Sequence, residues 1–217
     1  DYAEQNFLKD VPLMYVLTVT TNVGEETLLH GVYIGRERAL FEQAVEHSRE
    51  KNLTFVDAPL KKVVVYLDPR EFKSTWLGNK AIYRTRMAMA DGGELIILAP
   101  AVKKFGEDAE NDRLIRKYGY VGRENVLKLV NENQDLQDNL SVAAHLIHGS
   151  SDGRFSITYC TKLASEEEIK GVAFNYVPYD EAAAIYDPAK LKDGFNTVNG
   201  EQIFYISNPA LGLWTVK

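Results

Sequence analysis

The sequence predicts an α/β fold: a mostly parallel mixed sheet flanked by helices, preceded by an N-terminal β-hairpin. Three observations carry that expectation. The runs "KKVVVYL" (61–67) and "ELIILAP" (94–100) are short and almost continuously apolar, as strands buried on both faces are. A helical stretch between them completes the strand–helix–strand unit of a parallel sheet. Upstream, "LMYVLTVTTNVGEETLLHGVYIG" holds two alternating runs around Asn22-Val23-Gly24, a hairpin signal.

The elements follow in order. After the hairpin, "RERALFEQAVEHSREKN" spaces Leu40, Phe41, Ala44, Val45 and His47/Ser48 as a helix does. Asp68-Pro69 ends the first buried strand. The spacing then predicts a helix from about Leu77 to Ala90, closed by Asp91-Gly92-Gly93 as a C-cap and turn. Helices are expected over 108–119, 122–133 and 136–149, and a strand over 154–161. Ser165 and Glu168 form a capping box opening a short helix. A strand over 171–178, a short helix over 180–187 and a closing strand and turn complete the chain.

With 217 residues, 45% of them hydrophobic, the chain can bury a full core, and one domain spanning 1–217 is expected. A net charge of -6 and the lack of any Lys/Arg block argue against nucleic acid as a partner. No apolar run reaches the roughly 20 residues of a membrane span. The first residues lack the basic and apolar regions of a signal peptide, so no membrane partner and a cytoplasmic location are expected. The lone Cys160 sits in "FSITYCT" and reads as core packing. A start without Met is what a fragment or a processed piece would show.

Chemistry is expected where the chain leaves the carboxyl end of the 61–67 strand, since ligands of open parallel sheets gather there. "WLGNK" (76–80) would open a helix whose free N–H groups attract an anion, with Lys80 adding a full charge. A carboxylate or phosphate is the natural ligand. Gly78 would let the backbone approach closely. A plainer reading stands beside this one: Lys80 and Arg84 as a solvated stripe, with Trp76 as a hydrophobic staple. His145 and His148 have a spacing two metal ligands can use, yet histidines also favour helix C-termini through the dipole, and no metal site is assigned. No dinucleotide, P-loop or nucleophile-elbow motif is present.

The order Val63-Val64-Val65-Tyr66, Asp68-Pro69, Trp76-Leu77-Gly78-Asn79-Lys80, Gly92-Gly93, Leu95-Ile96-Ile97-Leu98 resembles the C-terminal domain of the nickel-pincer lactate racemase family. There a strand, a Pro/Asp loop, Tyr-Gln-x-x-Lys, Gly-Gly and an apolar strand follow one another. "DGRFSITYCT" and "YISNPALGLW" are closer to members proposed to act on sugar acids such as mannonate. The resemblance implies an isomerase, a racemase or epimerase of hydroxy acids, with Lys80 and Trp76 on the substrate. Asn79 and Arg84 join them as expected substrate-binding residues, but Arg84 and Arg86 rank below Lys80, since either could assist or merely pair with carboxylates. Leu77 stands where the family has glutamine, and Gln134-Asp135-Leu136-Gln137 stands near its Asp-Gln-Trp-Gln element. Both differences point away from lactate.

The family's cofactor-tethering lysine, nickel-ligating histidine and catalytic histidines have no counterpart here. The resemblance therefore implies no catalytic residue and no metal ligand in this chain, which alone is expected to be inactive. A nickel-pincer nucleotide is expected in the full-length enzyme. The partners would be an N-terminal catalytic domain of the same protein and a small hydroxy-acid substrate. One rival expectation is a non-catalytic domain that binds a small organic anion, and a second is a purely structural or oligomerisation domain.

Overall fold

The structure, a computed structural model, describes residues 2–23 and 26–217. It groups into two compact units, Asp1–Thr54 and Phe55–Lys217.

The first unit holds α1 (Tyr2–Phe7), β1 (Tyr15–Val23), β2 (Glu26–Gly35) and α2 (Arg38–Asn52). β1 and β2 pair antiparallel as the alternation predicts, with Val16 opposite Ile34 and a register shift between Val19 and Thr20. Gly24 of the anticipated turn lies outside the described residues. α2 packs on the hairpin with Ala44 and Val19 buried. Gly31 makes room for it: a Cβ there would sit 2.9 Å from His47 Nδ1. His47 bonds the Tyr33 hydroxyl at 2.8 Å, and His30 bonds Thr21 at 2.8 Å.

β3 (Leu53–Val56) leads into the second unit. There follow β4 (Leu60–Tyr66), α3 (Thr75–Gly78), α4 (Lys80–Tyr83), β5 (Met89–Ala99), α5 (Ala109–Tyr118) and α6 (Arg123–Glu132). Then come α7 (Gln134–Gln137), α8 (Leu140–His148), β6 (Phe155–Thr161), α9 (Glu166–Gly171), β7 (Asn175–Pro178) and α10 (Tyr179–Ile185). β8 (Gly194–Val198), β9 (Glu201–Ile206) and β10 (Leu213–Val216) close the chain.

Among the described residues six strands form one sheet in the order β7-β6-β5-β4-β9-β8. Every neighbouring pair is parallel except β8–β9. The apolar runs are continuous because both faces are covered. Val63, Val65, Leu95 and Ile97 join the large core beneath α4 to α9, while Val64, Ile96 and Leu98 face a smaller core with Ala182 of α10. Each such aliphatic, fully withdrawn from water, contributes about 1.5–3 kcal/mol. The chain steps from β4 outward to β7 and then returns to place β9 on the other side of β4. That reversal makes the carboxyl ends of β4 and β9 the crevice of the sheet.

Three expected elements are corrected. The helix from Leu77 to Ala90 is instead two single turns, α3 and α4, followed by turns over 84–88. The Thr85 hydroxyl bonds back to the Ala81 carbonyl at 2.6 Å, and the chain drops into β5 at Met89. Asp91-Gly92-Gly93 therefore lies inside β5, not at a helix end. Gly92 takes φ 73°, and its N–H donates to the Arg154 carbonyl at 2.6 Å. The helix over 136–149 is divided because the Asn139 side chain caps a new start, accepting from Val142 N–H at 3.2 Å. The strand over 171–178 shortens to β7, since Phe174 N–H folds back onto the Ile169 carbonyl. The capping box of Ser165 and Glu168 forms as expected.

Candidate functional site

The 74–80 segment lies at the carboxyl ends of β4 and β5, tied there by a parallel bridge between Ser74 and Lys104. Ser74 caps α3, its hydroxyl accepting from Leu77 N–H at 3.3 Å and donating to Glu107. The backbone donors from Thr75 to Asn79 are used. Thr75 N–H reaches the Lys104 carbonyl at 3.1 Å and Trp76 N–H the Phe105 carbonyl at 2.8 Å. Gly78 N–H reaches the Ser74 carbonyl at 2.9 Å and Asn79 N–H the Thr75 carbonyl at 2.8 Å. The N–H groups from Thr75 to Asn79 are thus not free for an anion, and a four-residue turn gathers little dipole. Any attraction for an anion rests on side-chain charge.

Lys80 supplies that charge. It is half-buried, its Nζ lies 5.9 Å from the Phe72 ring centroid, and it makes no ion pair among the described residues. Twelve other lysines and arginines of the second unit do, from Lys62 to Lys217. Trp76 is also half-buried, stacked on His145 with ring centroids 4.3 Å apart and planes 24° from parallel.

The remaining predicted residues turn inward. Asn79 is fully buried, its amide oxygen accepting from the Tyr159 hydroxyl at 2.6 Å, so it supports the corner from within. Its Nδ2 is a buried donor without a partner among the described residues, packed where a Cβ on Gly149 would come within 2.4 Å. Arg84 donates to the Gly212 carbonyl at 3.2 Å, and its own carbonyl accepts from Trp214 N–H at 3.0 Å. Arg86 is committed to Asp152 and the Ser150 carbonyl, each at 3.1 Å. Gly78 does permit a close approach, but to the core: a Cβ would meet Leu67 at 2.9 Å.

Sequence reasoning did not find the polar chain beneath Trp76. The Thr75 hydroxyl donates to the Phe105 carbonyl at 3.0 Å and meets the Tyr120 hydroxyl at 2.8 Å. Tyr120 in turn meets His145 Nε2 at 2.9 Å. Because Thr75 has one proton, Tyr120 donates to Thr75 and the imidazole Nε2–H donates to Tyr120. Burial, and then the nearby His148, hold the His145 pKa down at about 4, so the ring is neutral at pH 7. Burial pushes the Tyr120 hydroxyl up. The His145/His148 spacing was legible; its stacking partner, far away in sequence, was not.

Gln134-Asp135-Leu136-Gln137 forms α7 and serves the helical layer. Asp135 accepts from Tyr118 at 2.5 Å, Lys117 at 2.8 Å and Arg113 at 3.3 Å, which pins α7 to α5 and holds its carboxyl far below the usual range. Among the described residues no three His, Cys, Asp or Glu side chains are grouped to hold a metal, and no helix is long and apolar enough to cross a membrane.

No protein-family model matches the chain, and no curated protein matches it by sequence. Solved structures do. A crystal structure from Thermotoga maritima, solved by the Northeast Structural Genomics Consortium, matches with a TM-score of 0.70 at 25% identity. That match covers 94% of this chain and 49% of the other. The lactate racemase apoprotein of Thermoanaerobacterium thermosaccharolyticum matches with a TM-score of 0.58 at 16% identity, over 86% of this chain and 42% of that one. The chain shares its fold with part of a lactate racemase. It spans about half the length of the Thermotoga protein and less than half of the racemase.

Proposed function

We propose that the chain is the substrate-binding, C-terminal domain of a 2-hydroxy-acid racemase or epimerase, and that Lys80 holds the substrate carboxylate. One observation carries the reading: Lys80 is a half-buried cation with no carboxylate partner among the described residues, at the carboxyl ends of the central strands and four residues from the half-buried Trp76. An ammonium so placed orients a carboxylate as a point charge. Sharing a fold with lactate racemase supplies the chemical context.

The ligand on this reading is a sugar acid of the mannonate kind. Leu77 offers no hydrogen bond to a carboxylate, whereas the Trp76 indole offers an apolar face to the C–H groups of a polyol chain. The residues described do not fit a nickel site, so no step is assigned to a metal here. The nickel-pincer nucleotide, which supplies hydride transfer at the carbinol carbon, would belong to an N-terminal catalytic domain of the same protein. This chain's part is to bind and orient the acid.

Calorimetric titration with gluconate and with lactate, on the wild type and on Lys80→Ala, tests the reading. The expected result is binding of gluconate in preference to lactate, weakened at least tenfold by the substitution, or about 1.4 kcal/mol. Thermal stability should stay unchanged, because Lys80 gives up no ion pair. Equal gluconate heats in the two proteins would remove Lys80 from the site.

A further inference from the structure

His145 is oddly placed for a packing residue. Desolvating an imidazole costs free energy that an aliphatic of like volume would not incur. The ring is nonetheless largely enclosed, and both its plane and its edge are engaged. Trp76 covers the plane at 4.3 Å, and Tyr120 holds Nε2 at 2.9 Å. The Tyr120 ring stands at 73° to the imidazole and is itself stacked on Phe174, centroids 4.5 Å apart. Its hydroxyl is fixed by Thr75, the residue covalently next to Trp76.

These contacts close a loop. From Trp76 the path runs through the peptide bond to Thr75, across hydrogen bonds to Tyr120 and His145, and back by the ring stack to Trp76. A stack alone allows an indole to slide and spin over its partner. A stack on a ring whose edge is hydrogen-bonded back to the neighbouring residue fixes the plane of the indole as well as its distance. Three separate pieces of chain, 74–80, 119–122 and α8, meet to make this one arrangement.

We infer that His145 is a positioning residue, which sets the plane of the Trp76 indole and so shapes the wall against which a ligand of Lys80 lies. The inference rests on the proposed function for its ligand, but the ordering of the indole is a property of the chain itself.

The test uses Trp214→Phe as background, so that Trp76 is the sole indole, and reads time-resolved fluorescence anisotropy and gluconate titration together. His145→Ala should free the indole, seen as a larger fast-decaying anisotropy component, and weaken gluconate at least fivefold. His145→Phe keeps a flat ring but loses the edge bond, and Tyr120→Phe removes the same bond from the other side. Both should give intermediate indole mobility, and they carry the question if His145→Ala fails to fold. An indole as rigid in these variants as in the background protein would overturn the inference. Gluconate that fails to bind even the background protein would sink the functional reading while the anisotropy still decides the role of His145.

Discussion

Trp76 lies nearly flat on His145, and the imidazole beneath it is largely withheld from water, with its Nε2 given to Tyr120. An imidazole so placed resists protonation, and that resistance is visible in stability. The pKa falls from the ordinary 6.5 to about 4 on folding. Between those values the unfolded chain binds the proton and the folded chain does not. Stability is therefore untouched above about pH 6.5 and falls as pH drops toward 4, by about 3 kcal/mol in all. Urea denaturation of the wild type and His145→Phe at about pH 7 and pH 4.5 checks this, since carboxylates titrate in both and cancel in the difference. A wild type that loses no more stability than the variant would contradict the burial of a neutral His145.

Asn79 and Tyr159 should behave as a coupled pair. Removing the amide with Asn79→Ala strands a buried hydroxyl and opens space, which should cost about 2–4 kcal/mol. Tyr159→Phe removes the other partner. The double variant should cost less than the sum of the two by about 1 kcal/mol or more. Strict additivity in denaturant titrations would show that the 2.6 Å contact carries little free energy.

Two glycines make opposite predictions. A Cβ on Gly106 would lie 2.2 Å from the Asp112 backbone nitrogen, so Gly106→Ala must push the start of α5 aside, at a cost of about 2–3 kcal/mol. Gly171, at the end of α9, has nothing within 4 Å of the same position and no positive φ. Gly171→Ala should stabilise by about 0.5–1 kcal/mol through the unfolded chain. Thermal denaturation of the two variants reads both signs.

Cys160 should be inert while the protein is folded. The thiol is buried in the sheet, and burial pushes its pKa up to about 12, with Glu94 adding to the shift. Labelling by a thiol-specific disulfide reagent should proceed at the rate of unfolding and reach completion only in denaturant. Rapid labelling in native buffer would mean that the β6 face opens far more readily than its packing suggests.

The parts of the fold read correctly from sequence are those fixed by neighbours in the chain. "VVVY" and "LIIL" announce strands buried on two faces because every residue of the run needs cover, and Ser165-x-x-Glu168 marks a helix start by local hydrogen bonding alone. The errors lie where distant residues decide. The 77–90 stretch has a helical pattern, yet Arg154, more than sixty residues away, draws Gly92 into β5. β8 was missed because its alternating burial belongs to an antiparallel edge strand with little apolar signal. At the candidate site Lys80 and Trp76 are partly exposed as their residue types suggest. Asn79 and Arg84 share their polarity, but Tyr159 and Gly212 engage them first. Composition cannot reveal which polar groups already have partners.

The corner between Ser74 and Lys80 also divides its duties residue by residue. Ser74, Thr75, Gly78 and Asn79 are buried and hold the backbone in place, while Trp76, Leu77 and Lys80 keep part of their surface outside. The inward four are constrained by the rest of the molecule, and the outward three are answerable only to what arrives from solution. Such a segment can change its clientele by drifting at three positions while its frame stands still, so descendants of one fold can part ways in what they recognise long before they part ways in shape.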